Sequence, residues 1–221
     1  MRPRLMAAVE LALAVAIIAA GLRIPSIVFA LGSAPWLLVA GLIAFRLRGP
    51  GWRAIGLARP ASISRTIAIG VLVGLGYQIV GTYLVEPLIA RLTSGELPNV
   101  SQFRNLIGNE ALLLFWLTLS WTLAAVVEEL AYRGWILARC VEIGGGSRGA
   151  WVAAVLVSSV LFGVVHAYQG LSGMISTGLT GVLFAVTYLA SGRNLWAAII
   201  AHGVLDTAGF VMMYAGVYPG L

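Results

Sequence analysis

The sequence has no lysine, one cysteine, one aspartate and two histidines, and only 10% of its 221 residues are charged. Each scarcity excludes something. A single thiol, Cys140, rules out an intrachain disulfide and a cysteine-rich zinc site. Beside Arg139, near an expected helix end, it reads as inert. A soluble domain carries roughly 25% charged residues, so this chain cannot surround itself with polar surface. Hydrophobic residues make up 60% of it and the mean hydropathy is +0.97. The composition is that of an integral membrane protein.

All 14 basic residues are arginines, and the net charge is +6. In a soluble protein that balance would point to nucleic acid. Here most arginines fall in short loops between apolar runs, where topology accounts for them. Membrane lipid, not nucleic acid, is the expected partner. The start Met1-Arg2-Pro3-Arg4, followed by Leu5 to Ala20, could pass for a signal peptide. Further spans follow at once, so it is read as an uncleaved first helix.

The expected fold is all-α, a polytopic transmembrane bundle forming one integral membrane domain over 1–221. Apolar runs of near-span length predict about seven helices. They are Leu5 to Leu22, Ile27 to Phe45, Ile67 to Val85, Glu110 to Ala138, Ala150 to Ala167, Met174 to Ala190 and Leu195 to Tyr218. The fourth is long enough to tilt or to project beyond the hydrocarbon. Pro35 is expected to kink the second. Ten arginines (2, 4, 46, 48, 53, 59, 65, 139, 148 and 193) share one side if the N-terminus is cytoplasmic, and only Arg23, Arg91 and Arg104 fall outside. That asymmetry predicts N-in and C-out.

Arg46 to Ser64, with Gly49-Pro50-Gly51-Trp52, reads as a cytoplasmic connector carrying an interfacial aromatic. Pro87 to Asn109 is a polar stretch, either an amphipathic external loop or a cover over a cavity. Tyr168, Trp151 and Trp196 are expected as interface aromatics rather than site residues.

Ionisable groups inside a bilayer are costly, so each one is a functional hypothesis by default. The fourth span holds Val127-Glu128-Glu129-Leu130-Ala131-Tyr132-Arg133-Gly134, the fifth Phe162-Gly163-Val164-Val165-His166, and the seventh His202-Gly203-Val204-Leu205-Asp206. Both histidines and the only aspartate fall in these segments. Glu129 and Arg133 are four apart with the acid first, the favourable order for a helical ion pair. Glu128 is rotated about 100° from Glu129 and is left for proton transfer. His202 and Asp206 share a helix face, and Phe162 is placed to pack beside the His166 ring.

Depth permits one site. At about 1.5 Å per residue, Glu128 lies about 16 Å above Arg139 and His166 about 22 Å above Trp151. His202 and Asp206 lie about 12 and 18 Å above Asn194. Three antiparallel segments thus bring polar residues to one slab near mid-membrane.

The E-E-x-x-x-R, F-x-x-x-H and H-x-x-x-D segments, in that order on successive apolar helices, resemble the CAAX-processing and bacteriocin-processing (CPBP or Abi) intramembrane proteases. That group includes the type II CAAX prenyl endopeptidases. The resemblance covers about Leu112 to Tyr214, the expected catalytic core. It implies an intramembrane endopeptidase acting on a membrane-associated or lipidated peptide or protein, in a multi-pass bacterial inner-membrane protein. By the resemblance Glu128 is the general base on a water held jointly with His166, and His202 with Asp206 stabilises the tetrahedral intermediate. Glu129, Arg133 and Phe162 give structural support.

A carboxylate and an imidazole can polarise a water. Donors at the developing oxyanion typically contribute about 3–4 kcal/mol each. Many relatives carry asparagine where this chain has Asp206, and an ionised carboxylate cannot donate. Asp206 is therefore either protonated or orients His202, and the second is preferred. No cofactor is expected. Zinc on Glu128, His166 and His202 is the alternative, since two imidazoles and a carboxylate make a plausible catalytic set; however, no H-E-x-x-H helix is present.

Plainer readings stand beside these. Glu129 and Arg133 form a packing ion pair, Glu128 is solvated near an interface, His166 is a hydrogen-bonded core or interface histidine, and His202 with Asp206 is an interhelical packing bond. Two other functions fit the same composition. One is a non-catalytic scaffold or immunity protein of the same fold. The other is a proton-coupled transporter, which the lack of a repeated half disfavours.

Overall fold

A computed structural model describes residues 3–24, 32–49, 55–93 and 95–221, and among them there is no strand. The described residues form seven apolar rods. They are α1 (Pro3–Arg23), α2 (Ala34–Arg48), α3 (Ile63–Leu92), α4 (Glu110–Ile143), α5 (Arg148–Val164), α6 (Gly170–Ala190) and α7 (Leu195–Tyr214). Among the described residues, α1, α3, α4, α7 and the 24-residue stretch Ala167–Ala190 containing α6 are long and apolar enough to cross a membrane. α5 has 17 residues and the described part of α2 has 15. Among the described residues five helices thus reach membrane length, beside the seven spans expected. The predicted Gly49-Pro50-Gly51-Trp52 feature lies mostly outside the described residues, as does the start of the second span.

The outward faces are apolar. Leu72, Ile79, Leu84, Val152 and Val160 are each more than 60% exposed. Side chains of this kind are at home against acyl chains and not in water. Inside, the rods approach through small residues, which is how helices associate when lipid is as apolar as the side chains. A Cβ on Gly70 of α3 would lie 2.5 Å from Ile200 Cγ2 of α7, and one on Gly74 would lie 2.6 Å from the Ala201 carbonyl oxygen. On α5, a Cβ at Gly163 would come within 2.4 Å of the Met174 carbonyl oxygen of α6. These contacts fix the two helix pairs that frame the site.

Four features differ from the sequence reading. Pro35 does not kink a span in the described residues. It sits in the first turn of α2, where its missing N–H would have no intrahelical partner anyway. Residues from Pro87 to Leu92 continue α3 as helix instead of beginning a loop. Further along, the 3₁₀ turn Ser101–Leu106 is anchored inward by Val100 and Leu106, both buried against Met213. It covers a cavity. α4 is not a regular α-helix either. Ser120–Glu128 and Leu130–Ile136 are π-helical, with i→i+5 hydrogen bonds, so the depth assigned to Glu128 from an α-helical rise does not apply.

One end of α1, α2 and α4 is tied by charge. Arg48 bonds both Glu10, through Nε, and Glu142, at 2.9 Å. Arg139 pairs with Glu142 at 3.0 Å, and Trp135 Nε1 donates to Glu10 Oε2 at 2.9 Å. Glu10 lies within the first apolar run. An ionisable group at such a position is functional or paired, and Glu10 is paired.

Candidate active site

Glu129 is the centre of a polar core. It is completely buried, and its Oε1 accepts from Arg133 Nη1 at 2.9 Å and from His202 Nδ1 at 3.0 Å. The i,i+4 ion pair expected from sequence is present despite the π-helical backbone. Arg133, 1% exposed, spends its other Nη on the Gly181 carbonyl at 2.9 Å and lies 4.6 Å from the centre of the Phe162 ring. A buried guanidinium demands partners of this kind. The aromatic face and the carbonyl add to what one carboxylate supplies, while Nε keeps no hydrogen-bond partner.

Both imidazoles have one nitrogen committed. A carboxylate or a carbonyl can only accept, so the ring atom facing it must carry the proton. His202 therefore donates Nδ1–H to Glu129. Its Nε2 faces Glu128 Oε2 at 4.0 Å and Asp206 Oδ2 at 3.6 Å. The ring is stacked on Phe184 at 4.7 Å and edge-on to Phe162 at 6.0 Å, which fixes its plane. His166 donates Nδ1–H to the Phe162 carbonyl at 2.8 Å, leaving its own Nε2 free of that bond. Phe162 stands 5.1 Å from the His166 ring, so this one side chain touches both histidines.

Asp206 does not make the orienting bond to His202 that the sequence reading preferred. That role belongs to Glu129, and Asp206 Oδ2 instead accepts from Ser120 Oγ at 2.7 Å. His166 is also displaced from its expected place inside the fifth span. α5 ends at Val164, and His166 opens the 3₁₀ turn Ala167–Gln169.

Glu128, His166, His202 and Asp206 line one cavity of about 860 Å³, together with Ser120, Tyr132 and Phe162. Tyr168 lines it too, with its ring 5.8 Å from that of His166, so it is more than an interface aromatic. Trp151 lies under the Arg193 guanidinium at 4.2 Å. Ser120, Tyr132, Gln78 and Glu86 are wall residues that the sequence reading passed over. A polar residue in an apolar span was the available signal for Gln78 and Glu86. Nothing in the spacing singles out Ser120.

Among the described residues, no three histidine, cysteine, aspartate or glutamate side chains form a group that could hold a metal ion. In Glu128, His166 and His202, the alternative zinc set, each imidazole spends only Nδ1 on a protein acceptor and keeps Nε2, so these bonds do not choose between a zinc site and a metal-free one. No step below passes through a metal.

The fold and the cavity define a polytopic helical membrane protein with a buried acid–imidazole site. Residues 110–208 match the model of the family described as type II CAAX prenyl endopeptidase Rce1-like, the family type that the three motifs resemble. Comparison with curated proteins and with solved structures gives no match.

Proposed function

We propose that this cavity hydrolyses a peptide bond in a membrane-associated or lipidated substrate, with Glu128 as general base. The family match supports an endopeptidase of this general kind. The observation that carries the reading is the placement of the Glu128 carboxylate 4.0 Å from His202 Nε2 at one cavity wall, while the opposite nitrogen of that ring is held by Glu129. Water is held between Glu128 and the unprotonated Nε2 of His166. Glu128 takes its proton as the oxygen attacks the carbonyl carbon. The carbonyl electrons move onto oxygen, and His202 Nε2–H receives the oxyanion.

A donor at Nε2 requires the doubly protonated ring, and the Glu129 and Asp206 carboxylates are its counter-charges. Collapse of the intermediate breaks the C–N bond, and Glu128 returns the proton to the leaving amine. Asp206, held by Ser120, positions charge beside His202 without donating. The protein belongs, in this reading, in a bacterial cell membrane with its N-terminus in the cytoplasm, on the arginine asymmetry of its loops.

The test is purified protein in lipid vesicles, presented with a library of membrane peptides, beside Glu128→Ala. Cleavage that the variant loses supports the proposal. Cleavage at the same rate in both assigns the activity to something else. Chelator treatment of the active preparation tests zinc directly.

A further inference from the structure

The chemistry above consumes water, yet the cavity lies among apolar rods. An apolar cavity stays dry, and a buried water settles only where about two to four polar groups meet it. Part of the lining offers none: Phe103, Phe115, Leu119, Leu123 and Phe210 are apolar. α3 supplies the exception. Gln78, Thr82 and Glu86 follow one another at four-residue intervals, all three line the cavity, and none takes part in the steps above. Polar side chains within a span are costly and call for a role. A regular α-helix would carry Glu86 about 80° round from Gln78. The π-helical turn Gly81–Val85 advances less per residue and turns Glu86 back over Thr82 and Gln78.

The stripe is linked internally but not closed on itself. Gln78 Nε2 donates to Thr82 Oγ1 at 2.9 Å, and the Tyr218 hydroxyl donates to Glu86 Oε1 at 3.4 Å while facing Thr82 as well. Glu86 Oε2 makes no direct hydrogen bond, although Ser176 of α6 faces that carboxylate. The Tyr77 hydroxyl makes none either, although Thr180 faces it. Polar groups that face each other beyond direct range are positions where water bridges. One end of the stripe is at Tyr218, past the end of α7. The other end meets the site. A Cβ on Gly209 of α7 would lie 3.6 Å from Gln78 Oε1, and Gly209 shares a helix face with Asp206 three residues before it. Space is ample, since a water takes about 30 Å³ in the liquid and the cavity holds about 860 Å³.

We infer that Gln78, Thr82 and Glu86 hold a file of ordered water that runs from Tyr218 to Asp206 and supplies the hydrolytic water to Glu128 and His166. This rests on the peptidase reading above. Gln78, beside Gly209, is the last holder of water before the site and acts as a positioning residue for it.

The test uses the full-length protein in phosphatidylcholine vesicles, wild type beside Gln78→Leu with Thr82→Val. Steady-state kinetics are read on one peptide that wild type cleaves. Hydration is read by X-ray radiolytic labelling, which oxidises side chains that touch ordered internal water as well as those in bulk. Met213 is the reporter, because it lines the cavity one turn beyond Gly209 and is only 6% exposed. Met174 of α6, which is not on the lining, is the control.

Met213 should be labelled in wild type. In the double variant its labelling relative to Met174 should fall several-fold, and kcat should fall about tenfold with KM changed much less. Thr82→Ser, which keeps the hydroxyl, should restore both. Where the double variant melts early, Thr82→Val alone serves the same comparison. Met213 unlabelled in wild type overturns the inference, and this arm needs neither a variant nor a cleaved peptide. Labelling or kcat unchanged in a variant that melts like wild type also overturns it. Failure of wild type to cleave any peptide while Met213 is labelled removes the peptidase reading, and the supply role with it, but leaves the water file in place.

Discussion

Glu129 and His202 are joined by a hydrogen bond from Nδ1 to Oε1 at 3.0 Å, with both side chains nearly excluded from the surface. The bond crosses from α4 to α7 and makes the second glutamate of the pair the orienting group for the imidazole that faces the first. Arg133 holds the same oxygen. Glu129 therefore bonds a candidate site residue and a packing partner at once, and the two contributions can be separated.

Glu129→Gln removes the counter-charge of Arg133 and should destabilise the protein by about 3–5 kcal/mol, the usual cost of stranding one partner of a buried pair. Replacing both partners, as Glu129→Gln with Arg133→Met, should restore most of that stability in a detergent melt. Cleavage should stay at least tenfold below wild type, because the carboxylate opposite His202 Nδ1 is gone. Full activity in the double variant would show that Glu129 is structural only.

Part of this arrangement was legible in the sequence, for physical reasons. Burying Glu129, Arg133 and His202 in an apolar chain is so costly that their presence marks a candidate site. The four-residue spacing gave the Glu129–Arg133 pair correctly. It could not show which acid reaches His202, because helical phase relates residues on one rod and that bond joins two. Nor does hydropathy reveal that α4 is π-helical from Ser120, or that α5 stops short of His166. These depend on how neighbouring backbones pack. Ser120 acquires meaning only when α4 and α7 bring it to Asp206 at the cavity wall. Glu10 was readable by the same rule as the C-terminal acids, since it too is an ionisable group in an apolar run.

Ser120 should matter through Asp206. Ser120→Ala removes a 2.7 Å bond to a carboxylate oxygen, and hydrogen bonds to charged groups contribute about 1.5–3 kcal/mol. We expect kcat to fall about tenfold with KM changed much less, since the freed carboxylate is no longer held beside His202 Nε2. Asp206→Ala should be more damaging than Asp206→Asn, because asparagine keeps an acceptor for the Ser120 hydroxyl. Steady-state kinetics on one peptide order the three variants, and equal losses for alanine and asparagine would dissociate Ser120 from the site.

The ion network at the far end should act on stability alone. Glu10 joins Arg48, Arg139 and Trp135 in a setting where the side chains of Glu10, Arg48 and Arg139 are 12–16% exposed. Glu10→Leu should lower stability by about 1–3 kcal/mol, and Glu10→Gln by less, because the amide oxygen can still accept from Trp135. Screening is weak for partly buried pairs, so the difference should persist at about 1 M salt. Melting curves at low and high salt check this; a deficit abolished by salt would make the network a surface feature.

Close approach of α5 and α6 sets where Phe162 and His166 stand, and Gly163 makes that approach possible. An alanine there would put its Cβ 2.4 Å from the Met174 carbonyl oxygen and 3.1 Å from the Gly178 Cα, both backbone atoms that cannot rotate away. The helices must separate, and overpacking of this kind typically costs about 1–3 kcal/mol. Gly178 faces the same interface, but a Cβ there would lie 3.5 Å from the Ser159 carbonyl oxygen, an ordinary contact. Gly163→Ala should therefore melt lower than wild type and cleave poorly, because the carbonyl that holds His166 Nδ1 belongs to the preceding residue. Gly178→Ala should resemble wild type in both. Paired melts and peptide cleavage distinguish them, and a Gly163→Ala protein with wild-type stability would mean that α5 and α6 do not pack as closely as described.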